Sequence, residues 1–146
     1  MSDFRRLSET VYASPQITPD EVAEAARDGF VLVINNRPDG EEAGQPSGDA
    51  IAKAAHDHGI DYKEIPVDHT GFSEPQVEAM SAALSGTDGK VLAYCRSGTR
   101  STNLWALARA HQGADSGGLV AAAMDAGYDI SALAPTLEML AARAKA

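Results

Sequence analysis

The chain has only one cysteine, Cys95, among its 146 residues. A lone cysteine excludes an internal disulfide and a Cys-x-x-Cys redox relay. Any redox or sulfur-transfer step at this thiol must therefore be completed by an external thiol.

Positive charge is also scarce, with 12 Lys and Arg against 21 Asp and Glu and a formal net charge of −9. This balance argues against bulk electrostatic binding to nucleic acid or anionic membranes, so any cationic site must be local. Long apolar runs are missing as well: none approaches a membrane span, and the N-terminal MSDFRRLSET lacks the hydrophobic core of a signal peptide. We therefore expect a soluble cytoplasmic protein without a nucleic-acid or membrane partner.

What the sequence does have is enough apolar material for a core, 44% of its residues, and a length that fits one domain over residues 1–146. Apolar runs predict strands at residues 30–34, 60–67 and 90–94, and residues 4–14 suit a short strand or hairpin. Helices are predicted after the caps Thr18, Ser47 and Ser73 and near residues 100–111, 118–126 and 135–143. This alternation predicts an α/β fold with a mostly parallel central sheet and helices on both faces.

Residues 90–105 (KVLAYCRSGTRSTNLW) join a predicted strand to a predicted helix through a short cationic loop. The N–H groups of such a loop and the positive end of the helix dipole converge on one point, which favours a bound anion and the thiolate form of a nearby cysteine. We therefore predict that Cys95 is a nucleophile and that Arg100 clamps the substrate. The substrate-binding residues predicted around them are Arg96, Ser97, Gly98 and Thr99. The alternative for Cys95 is an inert buried thiol.

Two residues of the same segment have more specific predicted roles. Ser101, in the first turn of the helix, is expected to hydrogen-bond the thiolate. Gly98 is expected to adopt a positive φ or to allow close approach of the anion, because it has no side chain.

Ligands of open parallel sheets bind beyond the carboxyl ends of the strands, so the loops that follow the three strands should share one rim. This rim would bring Arg37, Asp68 and His69 near Cys95. Arg37 is a candidate for orienting the anion, although Arg-Pro-Asp-Gly is also ordinary turn chemistry. Asp68 is a candidate catalytic acid, and a plain loop-turn role is its alternative.

The tripeptide His56-Asp57-His58 contains metal-ligand residue types. Residues two apart on a helix do not face each other, so we expect no metal there. No cofactor is indicated, and the sequence leaves the oligomeric state open.

From Cys95 to Arg100 the loop reads CRSGTR, with four residues between the cysteine and the second arginine. It resembles the six-residue loop of rhodanese-type sulfurtransferases. It is one residue shorter than the loop of protein tyrosine phosphatases, in which a histidine precedes the cysteine; Tyr94 holds that position here.

The rest of the chain resembles phosphatases. IPVDHTGF, followed by a capped helix, resembles the segment of dual-specificity phosphatases that carries an aspartate general acid, here Asp68. The chain also resembles a bacterial family of small phosphatase-like domains, which are found as well fused ahead of metallo-β-lactamase-like hydrolase domains. The segments that carry this resemblance are VINNRPDGEE, GQPS, YKEIPVDHTGF, YCRSGTRSTNLWALA and AGYDI. This resemblance implies a fold like that of protein tyrosine and dual-specificity phosphatases.

The loop favours a rhodanese-type sulfurtransferase, in which a Cys95 persulfide carries sulfane sulfur from thiosulfate or a low-molecular-weight persulfide to a thiol or cyanide. The first alternative is a phosphatase that forms a phosphocysteine at Cys95 and uses Asp68 as the general acid. The second is a non-catalytic anion-binding or regulatory domain. All three imply a small anionic ligand: thiosulfate, a persulfide or a phosphoester.

Overall fold

The computed structural model describes residues 2–68 and 70–145, which form a five-stranded sheet covered by helices. The strands are β1 (Arg5–Arg6), β2 (Val11–Ser14), β3 (Phe30–Asn35), β4 (Asp61–Glu64) and β5 (Lys90–Tyr94). The α-helices are α1 (Pro19–Arg27), α2 (Gly48–Asp57), α3 (Glu74–Ser85), α4 (Thr99–His111), α5 (Ser116–Asp125) and α6 (Ala134–Ala144).

The strand order is β1-β2-β5-β3-β4. The strands β1 and β2 pair antiparallel as a hairpin, and every other neighbouring pair in the sheet is parallel. This confirms the predicted α/β fold with its mostly parallel sheet. Because β5 and β3 are central neighbours, their carboxyl ends lie side by side, and the Asn36 N–H donates to the Tyr94 carbonyl at 2.8 Å just beyond them.

Helices α1, α2 and α3 begin at the predicted side-chain caps. Thr18 accepts a hydrogen bond from the Glu21 N–H, and the Glu21 side chain accepts one from the Thr18 N–H. Ser73 and Gln76 form the same reciprocal pair at α3, and Ser47 caps α2. These bonds satisfy N–H groups that have no partner inside the helix, so they fix where each helix begins.

Strand β4 is shorter than the predicted strand over residues 60–67 and ends before Ile65. It lies at the edge of the sheet, and Pro66 has no N–H with which to continue the ladder. The chain nevertheless stays beside β3, because the Val67 N–H donates to the Asn36 carbonyl at 2.9 Å. This extended exit carries the chain towards Asp68.

The core lies on both faces of the sheet. One apolar cluster involves α3, α4, α5 and α6, and its buried members include Met80, Leu104, Trp105, Leu107 and Leu137. The other involves α1 and α2 and includes Val22, Phe30, Ile51, Leu92 and Tyr94. Within the described residues, no helix has both the length and the apolar character needed to cross a membrane.

A pair of methionines tests this core. Met80 is fully buried on α3, whereas Met139 on α6 is 50% exposed. We expect Met80→Ala to lower the free energy of unfolding by about 2–5 kcal/mol, because it leaves a cavity that the packed helices cannot fill. Met139→Ala should change it by less than about 1 kcal/mol. Urea denaturation of both variants checks this, and equal losses would contradict the assigned core.

Candidate active site

Cys95 lies immediately after β5, where the chain leaves the sheet. Its side chain is fully buried, and its Sγ accepts a hydrogen bond from the Gly98 N–H at 3.1 Å. A backbone N–H directed at the sulfur stabilises the thiolate, the reactive form of the side chain. The strand therefore delivers the thiol into a loop that is already turned towards it.

Gly98 makes that loop geometry possible. It precedes α4 with a φ of 95°, in the left-handed region that residues with a Cβ rarely adopt. A Cβ at this position would also collide with the hydroxyl of Tyr128. The positive φ predicted for this glycine is therefore present, and a close approach exists as well, although the approaching group is a tyrosine.

Arg100 lies in the first turn of α4 and is held by a carboxylate on the opposite side of the rim. Its Nη1 donates to Oε2 of Glu41 at 2.7 Å, and its Nη2 donates to Oε1 at 2.8 Å. Nη1 also donates to the Val67 carbonyl at 2.6 Å. These bonds hold the guanidinium in place through its two Nη atoms, and they do not involve its Nε–H group.

The charges of this pair support each other. The pKa of Glu41 is lowered chiefly by its hydrogen bonds to Arg100 and further by Arg37, while burial opposes the shift. The pKa of Arg100 is raised chiefly by its hydrogen bonds to Glu41 and further by its interaction with Cys95, while burial opposes the shift. The Arg100 guanidinium is therefore near enough to Cys95 for the two groups to interact electrostatically.

Glu41 was not among the residues predicted from the sequence. A signal for it existed: two adjacent glutamates follow a strand whose end shares a rim with an arginine-containing loop. A buried or half-buried arginine at such a rim requires an anionic partner when no substrate is bound.

Arg37 lies at the predicted rim and is bound by side chains of the protein. Its side chain is 3% exposed, and its nitrogens donate to Glu41 at 2.9 Å, to the Gln16 side chain at 3.0 Å and to Glu42 at 3.4 Å. Protein oxygens thus surround the Arg37 guanidinium, as those of Glu41 and Val67 do for Arg100. Direct orientation of the anion by Arg37 stays a prediction.

The Ser101 hydroxyl has a partner other than the predicted thiolate in this structure. It is buried and donates to Oδ1 of Asn36 at 2.8 Å. A hydroxyl has one hydrogen, so this bond takes the donor that was expected to reach the thiolate. Asn36 in turn donates to the Ile65 carbonyl at 2.9 Å, which links α4 to the exit of β4.

The remaining loop residues lie at the surface. The Arg96 side chain is 67% exposed, and its Nη2 is 3.4 Å from Glu42. Ser97 and Thr99 are also exposed, and the Ser97 hydroxyl donates to the Thr99 hydroxyl at 3.1 Å. These side chains can contact the outer part of a substrate, whereas the inner part would meet the loop backbone.

Asp68 is exposed and adjoins the loop through its neighbour Val67, whose carbonyl binds Arg100. Its carboxylate accepts a hydrogen bond from the Thr70 N–H at 2.9 Å and one from the Thr70 hydroxyl. His69, also predicted at this rim, lies outside the described residues. Contacts of Arg100 with Glu41 and Val67, and of Ser101 with Asn36, bring the three predicted loops together.

A cavity of about 560 Å³ lies elsewhere, between α3, α4 and α6. Its walls include Phe72, Val77, Leu107 and Leu140, and none of its lining residues belongs to the cysteine loop. Within the described part of the chain, no group of His, Cys, Asp and Glu side chains is arranged to hold a metal ion.

A cysteine at the end of a central parallel strand, a loop with an N–H directed at its sulfur, and an arginine in the first turn of the next helix form the candidate site. The fold around it is similar to that of protein tyrosine and dual-specificity phosphatases. A candidate phosphatase of Neisseria meningitidis has a similar structure, with a TM-score of 0.83 and 30% identity over 96% of this chain and 99% of that one. Kinase associated phosphatase, at 13% identity, shares the fold, with a TM-score of 0.73 over 100% of this chain and 96% of that one.

Residues 3–112 match the family described as beta-lactamase hydrolase-like protein, phosphatase-like domain, and the chain belongs to this family. A beta-lactamase hydrolase-like protein of Xylella fastidiosa is 40% identical over 107 residues, which is 73% of this chain and 25% of that protein. The chain thus spans about a quarter of the length of the curated relatives it matches. The family confirms the phosphatase-like resemblance, while the rhodanese-like loop rests on the letters CRSGTR alone.

The lowered pKa of Glu41 predicts a pH dependence of stability. Folding favours the charged carboxylate, so its contribution is present above the ordinary pKa of 4.5 and is lost as the pH falls through the lower folded pKa. We expect the free energy of unfolding to fall less between about pH 6 and about pH 3.5 in Glu41→Gln than in the wild type. Urea denaturation at both pH values measures this.

The matched control is Glu78→Gln, which removes an exposed carboxylate of α3. It should retain the wild-type loss of stability on acidification. If Glu41→Gln and Glu78→Gln responded to pH in the same way, the assigned pairing of Glu41 with Arg100 would be wrong.

Proposed function

We propose that the chain is a cysteine-dependent phosphatase that hydrolyses small phosphoesters. The backbone N–H groups of the loop after Cys95 and the guanidinium of Arg100 would together surround the phosphoryl oxygens and form a cup around them. Such preorganised donors stabilise the charge that develops on the oxygens in the transition state. The Glu41 carboxylate contributes by holding Arg100 in position: it accepts hydrogen bonds from Nη1 at 2.7 Å and from Nη2 at 2.8 Å.

In the first step the Cys95 thiolate attacks phosphorus, and the bond between phosphorus and the leaving oxygen breaks. Asp68 gives its proton to that oxygen, so that an alcohol or phenol departs. In the second step Asp68, now ionised, accepts a proton from water, which attacks the phosphocysteine and releases phosphate. The thiolate and the protonated carboxyl are regenerated.

One observation carries the preference for phosphate over sulfur. Arg100 binds the Val67 carbonyl at 2.6 Å, which ties the candidate anion clamp to the residue next to Asp68. An alkoxide or phenoxide is a poor leaving group and needs an acid beside the cup. Sulfite is a good leaving group, so sulfur transfer gives no reason to couple an aspartate loop to the arginine.

Sulfur transfer remains the second candidate, and the six-residue CRSGTR loop favours it. In that reaction the Cys95 thiolate attacks the outer sulfur of thiosulfate, the bond between the two sulfur atoms breaks, and sulfite leaves with the electron pair. An external thiol or cyanide then takes the sulfane sulfur from the Cys95 persulfide. A low-molecular-weight persulfide can replace thiosulfate as the donor.

A paired assay separates these functions. We expect turnover of 4-nitrophenyl phosphate by the wild type, no turnover by Cys95→Ser, and a loss of about a hundredfold or more in Arg100→Lys, because a lysine cannot reproduce the forked contact with phosphoryl oxygens. The same proteins are tested with thiosulfate and cyanide. Cys95-dependent sulfur transfer without phosphatase activity would reject the proposal in favour of the second candidate. Neither activity, with anion binding retained in Cys95→Ser, would indicate a binding domain.

The role of Asp68 predicts a dependence on the leaving group. Asp68→Asn should slow hydrolysis of phenyl phosphate by about a hundredfold or more, because phenoxide needs protonation. It should slow hydrolysis of 2,4-dinitrophenyl phosphate much less, because that phenoxide leaves without a proton. Steady-state kinetics with both esters measures the difference.

Asp129→Asn is the matched control. Asp129 is exposed and accepts hydrogen bonds from the N–H and hydroxyl of Ser131, the same turn that Asp68 makes with Thr70. If Asp68 were only a turn residue, both variants would behave alike. A uniform effect of Asp68→Asn on the two esters would likewise reject the acid role.

A further inference from the structure

Tyr128, in the connection between α5 and α6, reaches the active-site loop from outside. Its side chain is almost fully buried, and its hydroxyl donates to the Ser97 carbonyl at 3.0 Å. The residue lies beyond residues 3–112, which match the family. Nothing in the reaction described above requires it to touch a substrate.

The Ser97 carbonyl and the Gly98 N–H belong to one peptide unit. In a trans peptide these two groups point in opposite directions, and no peptide of the described chain is cis. The carbonyl binds Tyr128 on the outside, while the N–H donates to Sγ of Cys95 at 3.1 Å on the inside. Fixing the Ser97 carbonyl therefore also fixes the direction of the Gly98 N–H group.

This restraint matters because the next residue is a glycine. Gly98 has a φ of 95° and can rotate more freely than any other residue type. Its missing side chain is also what lets the Tyr128 hydroxyl approach, since a Cβ there would collide with that hydroxyl. The glycine thus provides the turn, and the tyrosine limits the rotation that the glycine would otherwise allow.

The hydroxyl is held in place and kept protonated by its surroundings. The guanidinium of Arg5 lies 5.0 Å from the centre of the Tyr128 ring, and Arg5 pairs with Asp3 at 3.0 Å. Burial raises the pKa of the phenol, and the charge on Cys95 raises it further, although Arg5 lowers it. The hydroxyl consequently remains a donor while the thiolate is charged.

We propose that Tyr128 is a positioning residue that aims the Gly98 N–H at the Cys95 sulfur and so stabilises the thiolate. The proposal rests on Cys95 being the nucleophile of the proposed function. It does not depend on whether phosphate or sulfane sulfur is transferred, because both reactions begin from the thiolate.

Tyr128→Phe tests the proposal because it keeps the ring and removes only the hydroxyl. The rate of Cys95 alkylation by iodoacetamide is measured against pH. We expect the midpoint of the profile to move to higher pH, so that alkylation below the wild-type midpoint is about three- to tenfold slower, as for the loss of one hydrogen bond. The rate at high pH, where all the thiol is ionised, should be unchanged.

Tyr62→Phe is the matched control, because the Tyr62 hydroxyl also takes part in a side-chain hydrogen bond, accepting from Asn35 at 2.9 Å. It should leave the alkylation profile unchanged. An unmoved midpoint in Tyr128→Phe, or an equal shift in both variants, would overturn the proposal. A purely structural role for Tyr128 would lower the melting temperature without moving the midpoint.

A second measurement needs no variant. In the wild type, the amide proton resonance of Gly98 should shift as Cys95 titrates, because the two groups are hydrogen-bonded. If the Gly98 amide resonance did not shift during the titration of Cys95, the proposal would be overturned, even if Tyr128→Phe failed to fold. Absence of phosphatase activity, in contrast, would reject the proposed function and leave these readouts intact.

Discussion

The carboxylate of Glu41 provides the charge balance on which the active-site loop depends. It accepts hydrogen bonds from Arg100 at 2.7 and 2.8 Å and from Arg37 at 2.9 Å. Without an anion between them, the two guanidinium groups would repel each other at a partly buried position, where charges interact more strongly than in water. The chain can therefore keep a local cation for an anionic substrate although its net charge is −9.

Neutral groups connect the same rim. Asn36 donates from its backbone to the Tyr94 carbonyl and from its side chain to the Ile65 carbonyl, and it accepts from the Ser101 hydroxyl. One residue thereby joins the ends of β3, β4 and β5 to the first turn of α4. A buried polar network in which each member has its partner makes the geometry rigid. The position of Cys95 relative to the loop that carries Asp68 is consequently set by the sheet.

Local features of the fold could be predicted because their signals lie within a few residues. The capping boxes at Thr18 and Ser73 and the strand that ends at Cys95 are of this kind. The supporting contacts could not, because Glu41 and Arg100 are 59 residues apart and Asn36 and Ser101 are 65 apart. A local sequence pattern does not predict which distant residue will be the hydrogen-bond partner of a guanidinium or a hydroxyl group. Arg37 and Ser101 were therefore correctly placed at the rim, while their partners came from the tertiary structure.

The hydrogen-bond partners of the loop carbonyls determine the direction of the loop N–H groups, because the two groups share a peptide unit. Three consecutive carbonyls accept from donors that approach from outside the cup: Arg96 from the Gln16 N–H at 3.2 Å, Ser97 from Tyr128 at 3.0 Å, and Gly98 from the Thr102 hydroxyl at 2.8 Å. Turning one of these peptide units so that its N–H points the other way would break one of these bonds. The orientation of these peptide units thus depends on the surrounding fold as well as on the sequence of the loop. A six-residue rhodanese-like loop can for this reason serve a phosphatase-like scaffold, and the choice between phosphate and sulfur then depends on whether the leaving group is given a proton.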